Sequence, residues 1–186
     1  MFEALTRSAA LGARRQYVSG MFRFMGHALE AISQFDEAVI DEARGLPKGL
    51  VFQMTVLPSG PSLALEHAGD GRLRYLGHRH EGRVDLSIRF KHMAHAFLVL
   101  SFREKTVEAF ANDRMVVDGD IGLAVRMTRI LNRLESIILP RLIASRAVKE
   151  YPQDLGLLQK IPGALGVYRR VATGMIRELR KEALPS

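Results

Sequence analysis

The chain has 186 residues, with 27 Lys and Arg against 20 Asp and Glu, a formal net charge of +7 and no Cys. One domain of this length can bury about two thirds of its unfolded surface without covalent staples. The absence of Cys excludes disulfides and thiolate metal sites, and it is typical of a reducing compartment.

The first residues do not have the pattern of a secretory signal peptide, because Glu3 precedes any sustained apolar run and Arg14-Arg15 interrupts the next apolar stretch. No apolar run reaches the roughly 18 to 20 residues that a membrane-spanning helix needs. We therefore expect a cytoplasmic protein, with a peripheral position at the inner membrane as the alternative.

The basic charge suits either a nucleic acid or an anionic membrane surface. No basic run is interleaved with stacking aromatic residues, and the sequence has no helix-turn-helix or zinc-finger pattern. Nucleic-acid binding is therefore less favoured than a lipid-related function.

Residues 1–47 are predicted to form an N-terminal helical segment. Its apolar side chains recur at three-to-four spacing at Phe22, Met25, Leu29 and Ile32. A glycine at position 45, followed by Leu46-Pro47, is a helix stop. The simplest role for such a segment is to cover a sheet.

Residues 48–138 are predicted to form the central domain. From Gly49 the apolar period becomes two, and tight turns at 58–61 and 69–71 separate short strands, which are expected to pair antiparallel. The residues expected on the apolar face of these strands are Leu50, Phe52, Met54, Val56, Leu63, Leu65, Leu73, Tyr75, Leu86, Ile88 and Phe90.

Two helices over residues 91–103 and 105–112 are predicted to cover that face. A fifth strand at 115–117 comes next, and Gly119 then allows a turn. Asp120 is expected to cap the next long helix, its carboxylate accepting from unsatisfied backbone amides. Pro140 is expected to end or bend that helix.

Residues 139–186 are predicted to form a basic helical extension. In its last helix, expected over residues 164–182, the predicted inner face is Leu165, Tyr168, Ala172, Met175 and Leu179. The predicted membrane-surface residues are Arg169, Arg170, Arg177, Arg180 and Lys181, since a basic amphipathic helix suits an anionic bilayer. The alternative is a solvated basic face on a helix that packs against the domain.

The run Arg83–Ile88, an apolar helix, Phe110 and then Arg114–Asp120 before a further helix resembles the sterol carrier protein family. The resemblance implies an α+β fold with a five-stranded, mainly antiparallel sheet covered by helices, enclosing a tunnel for acyl, phospholipid, isoprenoid or sterol ligands. It also implies a non-enzymatic carrier without a cofactor. The candidate lipid-binding residues are Phe52, Met54, Leu63, Leu65, Leu73, Tyr75, Leu86, Ile88, Met93, Phe97, Leu100 and Phe110; a plain filled core is the alternative.

The N-terminal helices, the Gly119-Asp120 pair and Glu135 shortly before Leu139-Pro140 are similar to accessory proteins of bacterial ubiquinone biosynthesis that contain this domain. That similarity implies a lipid-modifying or quinone-biosynthesis enzyme as a partner.

Catalytic and metal sites are not predicted. His78 and His80 share one side of a strand and His92 lies one helical turn from His95, but neighbouring basic residues oppose a cation. No nucleophile elbow, phosphate loop or dinucleotide fingerprint is present. Asp85 and Asp120 each have a structural use, at a strand and at a helix cap.

Overall fold

A computed structural model describes residues 2–147 and 162–183. The elements, in chain order, are α1 (Phe2–Ile32), α2 (Glu37–Arg44), β1 (Val51–Val56), β2 (Ser62–Gly69), β3 (Arg72–Gly77), β4 (Leu86–Phe90), α3 (Met93–Leu100), α4 (Thr106–Ala111), β5 (Met115–Asp118), α5 (Ile121–Ala147) and α6 (Pro162–Ala183).

The five strands form one sheet in the order β3-β2-β1-β4-β5. The pairs β1–β2, β2–β3 and β4–β5 are antiparallel, whereas β1–β4 is parallel. The predicted α+β architecture with a mainly antiparallel sheet is confirmed. The parallel pair arises because residues 78–85 do not form a tight turn but carry the chain from the β3 edge back to the free side of β1.

Alternation in the strands builds the inner face of the sheet. Phe52 pairs with Leu65 on one side and Leu86 on the other, and Met54 pairs in the same way with Leu63 and Ile88. These rows of apolar side chains run across the strands and are almost fully buried. Such cross-strand rows are the unit that stabilises a sheet.

Helix α1 is the principal cover of this face. Its residues Val18, Phe22, Leu29 and Ile32 are completely buried, and their spacing of four, seven and three residues places them on one helical face. The Phe22 ring lies 6.4 Å from the Phe90 ring. Together with Met127, Ile130 and Leu134 of α5, these residues belong to the same buried cluster as the sheet.

Helix α1 and the turn that follows it also protect the edge strand β3, whose outer amides would otherwise remain unpaired. The Ser33 hydroxyl accepts from the Leu73 amide at 3.0 Å, and the Glu30 carboxylate accepts from the Tyr75 amide at 3.3 Å. Covering an edge with polar side chains prevents pairing with another chain. The prediction that the N-terminal segment covers a sheet therefore agrees with the contacts of α1.

The β2–β3 hairpin turns at Gly69-Asp70-Gly71, as predicted. A Cβ at Gly71, whose φ is +76°, would lie 2.4 Å from the Ile40 carbonyl oxygen, so a side chain is excluded there. The buried His67 holds the turn from within, because its Nε2 accepts from the Gly71 amide at 3.2 Å. The other ring nitrogen, Nδ1, lies 3.1 Å from the Pro47 carbonyl oxygen and donates to it.

Helix α5 begins as predicted and ends later than predicted. The Asp120 carboxylate accepts from the Leu123 amide at 3.0 Å, which confirms the cap. A Cβ at Gly119, where φ is +127°, would lie 2.7 Å from the Asp85 carbonyl oxygen. The expectation that Pro140 could end the helix is wrong, since α5 continues to Ala147.

Helix α6 packs on α1 with a face that differs from the predicted one. Val171 is buried and Met175 is half-buried, whereas Ala172, which was predicted to face inward, is exposed. Gly174 also faces α1, because a Cβ there would lie 2.6 Å from Nδ1 of His27. The side chains of Leu165, Tyr168 and Leu179 lie outside the described residues. Within the described part of the chain, no helix has the length and apolar character needed to cross a membrane.

Candidate functional site

An apolar cavity of about 80 Å³ lies between α1, α5, the segment from the end of α3 to the start of α4, and the β4–β5 end of the sheet. Its lining residues are Met21, Met25, Met54, Ile88, Phe90, Val99, Leu100, Phe102, Glu104, Thr106, Met115, Thr128, Leu131, Asn132, Leu134 and Glu135. Phe102 and Asn132 are exposed, so the cavity reaches the surface there. Eleven of the sixteen side chains named are apolar, and the five polar ones come from α5 and from the chain around the start of α4.

Four methionines contribute to the wall: Met21 and Met25 from α1, Met54 from β1 and Met115 from β5. Methionine is unbranched and has three rotatable bonds, so it adapts to irregular or changing volumes at little cost. Leucine or isoleucine at the same positions would define the cavity more rigidly. The sequence places half of the chain's eight methionines around this one space.

The structure divides the predicted lipid-binding residues between this cavity and the filled core. Met54, Ile88 and Leu100 line the cavity. Phe52, Leu63, Leu65, Leu73 and Leu86 do not, and they are 0–5% exposed in the packed core. The filled-core alternative therefore describes the β1–β2–β3 side of the sheet, and the cavity lies toward β4 and β5.

Four further predicted residues lie elsewhere. Tyr75 is half-buried beside His27, with ring centroids 4.8 Å apart, and Met93 is half-buried at the edge of the core. Phe97 packs edge-to-face on Tyr17 at 5.3 Å. Phe110 is 48% exposed, because its neighbour Ala109 takes the inward position on α4. None of these four is in the cavity wall.

Sequence reasoning missed the contribution of α1 and α5 to the wall. Met21, Met25, Leu131 and Leu134 come from two helices that contributed no residue to the list of candidate lipid-binding residues. Their three-to-four spacing is visible in the sequence, but spacing alone does not tell which helix faces which end of the sheet.

A second, polar groove of about 420 Å³ lies between α1, β3 and α6. At its side Glu178 joins two histidines: its Oε1 lies 2.8 Å from Nδ1 of His78, and its Oε2 lies 3.2 Å from Nε2 of His27. All three side chains are less than one-fifth exposed. The cluster connects α6 to α1 and to the end of β3. Its hydrogen bonds hold α6 against the rest of the domain.

In the part of the chain that the structure describes, no group of three or more His, Cys, Asp or Glu side chains is placed to hold a metal ion, and this applies to the two histidine pairs noted in the sequence. His78 bonds to Glu178 and His80 lies 3.3 Å from the Arg83 carbonyl oxygen, so the two imidazoles have separate partners. His92 and His95 lie with ring centroids 5.2 Å apart. Burial lowers the pKa of His95, and the neighbouring His92 and Arg114 lower it further, while Glu104 acts in the opposite direction.

Asp85 and Asp120 have the structural partners expected of them. The Asp85 carboxylate accepts from the Val51 amide at 3.0 Å and pairs with Arg83. Asp120 caps α5. Neither aspartate lines the cavity, and each carboxylate accepts a backbone hydrogen bond, so these two residues do not form an acid/base pair there.

The predicted membrane-surface arginines Arg169, Arg170, Arg177 and Arg180 are all exposed on α6. Arg170 donates to the Gln34 side chain in the turn after α1, and Arg170 and Arg177 flank the polar groove. The side chain of Lys181 lies outside the described residues.

Solved structures similar to this chain include a ubiquinone synthesis protein, UbiJ-SCP2, which is 15% identical with a TM-score of 0.40; the match covers 73% of this chain and 100% of that one. Sterol carrier protein domain 2 of Helicoverpa armigera is 20% identical with a TM-score of 0.40, over 57% of this chain and 81% of that one. Sterol carrier protein 2 of Yarrowia lipolytica is 10% identical with a TM-score of 0.39, over 58% and 88%.

No family model matches the sequence, and no curated protein matches it either. At these values of sequence identity and TM-score, the similarity does not indicate a ligand or an activity for this chain. The similar structures are sterol carrier domains, the family that the order of strands, helices and turns in this sequence resembles.

Proposed function

We propose that the protein is a non-enzymatic carrier that binds the hydrocarbon part of a lipid in the methionine-lined cavity. The observation that supports this most is the position of the cavity: it is lined by residues of the buried core, such as Met54 and Ile88, and reaches the surface at Phe102 and Asn132. Protein interiors normally contain few voids larger than a water molecule. The side chains around an apolar void lack van der Waals partners, and a hydrocarbon chain that enters through the open end supplies them.

The cavity must widen to accept such a chain, because ligand sites usually enclose about 300–1,000 Å³ and this one encloses about 80 Å³. Met21 and Met25 of α1 lie opposite Leu131 and Leu134 of α5, so rotation of the two methionines opens space along both helices. Each buried methylene of the ligand contributes about 0.8 kcal/mol. A chain of several methylenes offsets the cost of these rotamer changes.

Lipid mass spectrometry of freshly purified protein, together with uptake of a fluorescent acyl probe, tests the proposal. Leu131→Trp should fill the half-buried wall and weaken probe binding by about tenfold or more, the factor that corresponds to 1.4 kcal/mol. Ile176→Trp, on the exposed face of α6, is the matched control. Absence of both co-purifying lipid and probe uptake, or equal binding by both variants, would contradict the proposal.

A second candidate function is peripheral attachment to an anionic membrane, which is supported by the exposure of Arg169, Arg170, Arg177 and Arg180 along α6. Binding to liposomes with acidic lipid should fall with salt and with the double substitution Arg169→Glu and Arg177→Glu. Flotation that ignores both lipid charge and these substitutions would contradict it. Delivery to a lipid-modifying or quinone-biosynthesis enzyme, in the cytoplasm or at the inner membrane, is a narrower proposal supported by the sequence resemblance.

A further inference from the structure

The charged side chains in the cavity wall are negative, which is opposite in sign to the net charge of the protein. Although the chain carries a net charge of +7, no Lys, Arg or His lines the cavity among the described residues. The polar wall consists of two carboxylates, Glu104 and Glu135, with Thr106, Thr128 and Asn132. An excess of basic residues in the wall would favour an anionic head group. A wall whose charged residues are carboxylates disfavours one.

The arrangement of α5 explains why its arginines do not reach the cavity. Arg126 and Arg129 each donate to the Glu42 carboxylate, at 3.2 and 3.1 Å. Arg133 binds Asp36 with contacts of 3.1 and 2.9 Å. These arginines recur at three-to-four spacing on the face that packs on α2. The cavity-lining residues of the same helix are Thr128, Leu131, Asn132, Leu134 and Glu135, and Asn132 also borders the groove that the arginines line.

The two carboxylates at the opening are not equivalent. Glu104 is 10% exposed, and its oxygens accept from Arg114 at 2.8 Å and from Asn112 at 3.3 Å, so its charge is neutralised. Glu135 is half-buried and has no hydrogen bond or ion pair with any described residue. Among the described residues, Glu135 is therefore the carboxylate of the cavity wall that has no cationic partner, and it lies in a partly dehydrated position where charge interactions are stronger than in water.

We propose that Glu135 selects ligands whose head group donates hydrogen bonds and carries no negative charge, such as a long-chain alcohol or amine. A carboxylate or phosphate at the same place would approach the Glu135 carboxylate, and the described residues of the cavity wall include no cation to compensate it. A hydroxyl or ammonium group donates to that carboxylate instead, and charge-assisted hydrogen bonds are the stronger kind. Asn132 and Thr106 supply further polar contacts for the head group. The selection rests on the proposed carrier function, because it concerns the same cavity.

Displacement of a fluorescent acyl probe by dodecanol, dodecylamine and dodecanoate, which share one chain length, tests the selection at neutral pH. The alcohol and the amine should displace the probe at concentrations about tenfold or more below that of dodecanoate, as one like-charge contact at partial burial predicts. Glu135→Gln should reduce this ratio, and Glu135→Lys should reverse it in favour of dodecanoate. Glu81→Gln, in an exposed loop away from the cavity, should leave the ratio unchanged.

The outcomes separate the two proposals. If dodecanoate displaces the probe as well as dodecanol does, or if Glu135→Gln and Glu135→Lys both keep the wild-type ratio, selection by Glu135 is refuted while the carrier function stands. If neither the probe nor any of the three compounds binds, the carrier function fails and the selection falls with it. Circular dichroism of each variant establishes that the fold is retained.

Discussion

Removal of the Phe22 ring tests the conclusion that α1 is part of the central core rather than an appendage to it. Phe22 is completely buried and contacts Phe90 of the central sheet across the core. A buried Phe→Ala change costs about 3–5 kcal/mol, of which the aromatic pair accounts for about 0.5–1.5 kcal/mol. Since whole domains are stable by about 5–15 kcal/mol, Phe22→Ala should remove a large share of the total.

Urea denaturation monitored by circular dichroism measures this loss. With a denaturant slope of about 1–3 kcal/mol per molar urea, the midpoint should fall by about 1 M or more. Phe35→Ala is the matched control, because Phe35 is 42% exposed just after α1 and should change stability by about 0.5 kcal/mol or less. If Phe22→Ala behaves like Phe35→Ala, α1 does not share the core of the sheet and the reasoning is refuted.

Two further predictions concern α6 and His95. Gly174→Leu should push the His27 ring away from Glu178, so hydrogen exchange of the α6 amides should accelerate relative to Ala172→Leu, an exposed control; equal exchange would contradict the proposed contact. Because burial lowers the pKa of His95 from 6.5, the folded state favours its neutral form, and the free energy of unfolding should fall as pH drops below about 6.5 toward the folded pKa. His95→Phe should flatten that part of the pH dependence in urea titrations; an unchanged slope would refute it.

Local physical rules account for the elements that the sequence predicted correctly. Alternation in β1 is reproduced residue by residue, because a strand with one covered face must bury every second side chain. Gly71 and Asp120 were predictable for the same reason: a turn needs a residue that tolerates positive φ, and a helix start needs an acceptor for its free amides. Each of these rules involves residues only a few positions apart.

Long-range pairing explains the features that sequence reasoning missed. Nothing local in residues 78–85 indicates that β4 returns to β1, since the choice depends on which edge of the sheet remains open. The contact between His78 and Glu178 joins residues 100 positions apart. The predicted inner face of α6 was wrong at Ala172. A prediction from hydrophobic residues alone places Gly174 and Glu178 on the outer face. Here a glycine gives room for the His27 ring and a glutamate supplies its hydrogen bond.

The arginines of α5 show why net charge is a poor guide to the charge that a ligand meets. Three of them form ion pairs with Asp36 and Glu42, so they fix the position of α2 rather than attract anions. On the cavity side of the same helix the charge is negative and unpaired, because Glu135 meets no cation among the described residues. The position of each charge on a helix face therefore matters more than the sum of charges. For this chain the net charge suits an anionic partner, whereas the residues that line the cavity support the proposal of a ligand without negative charge.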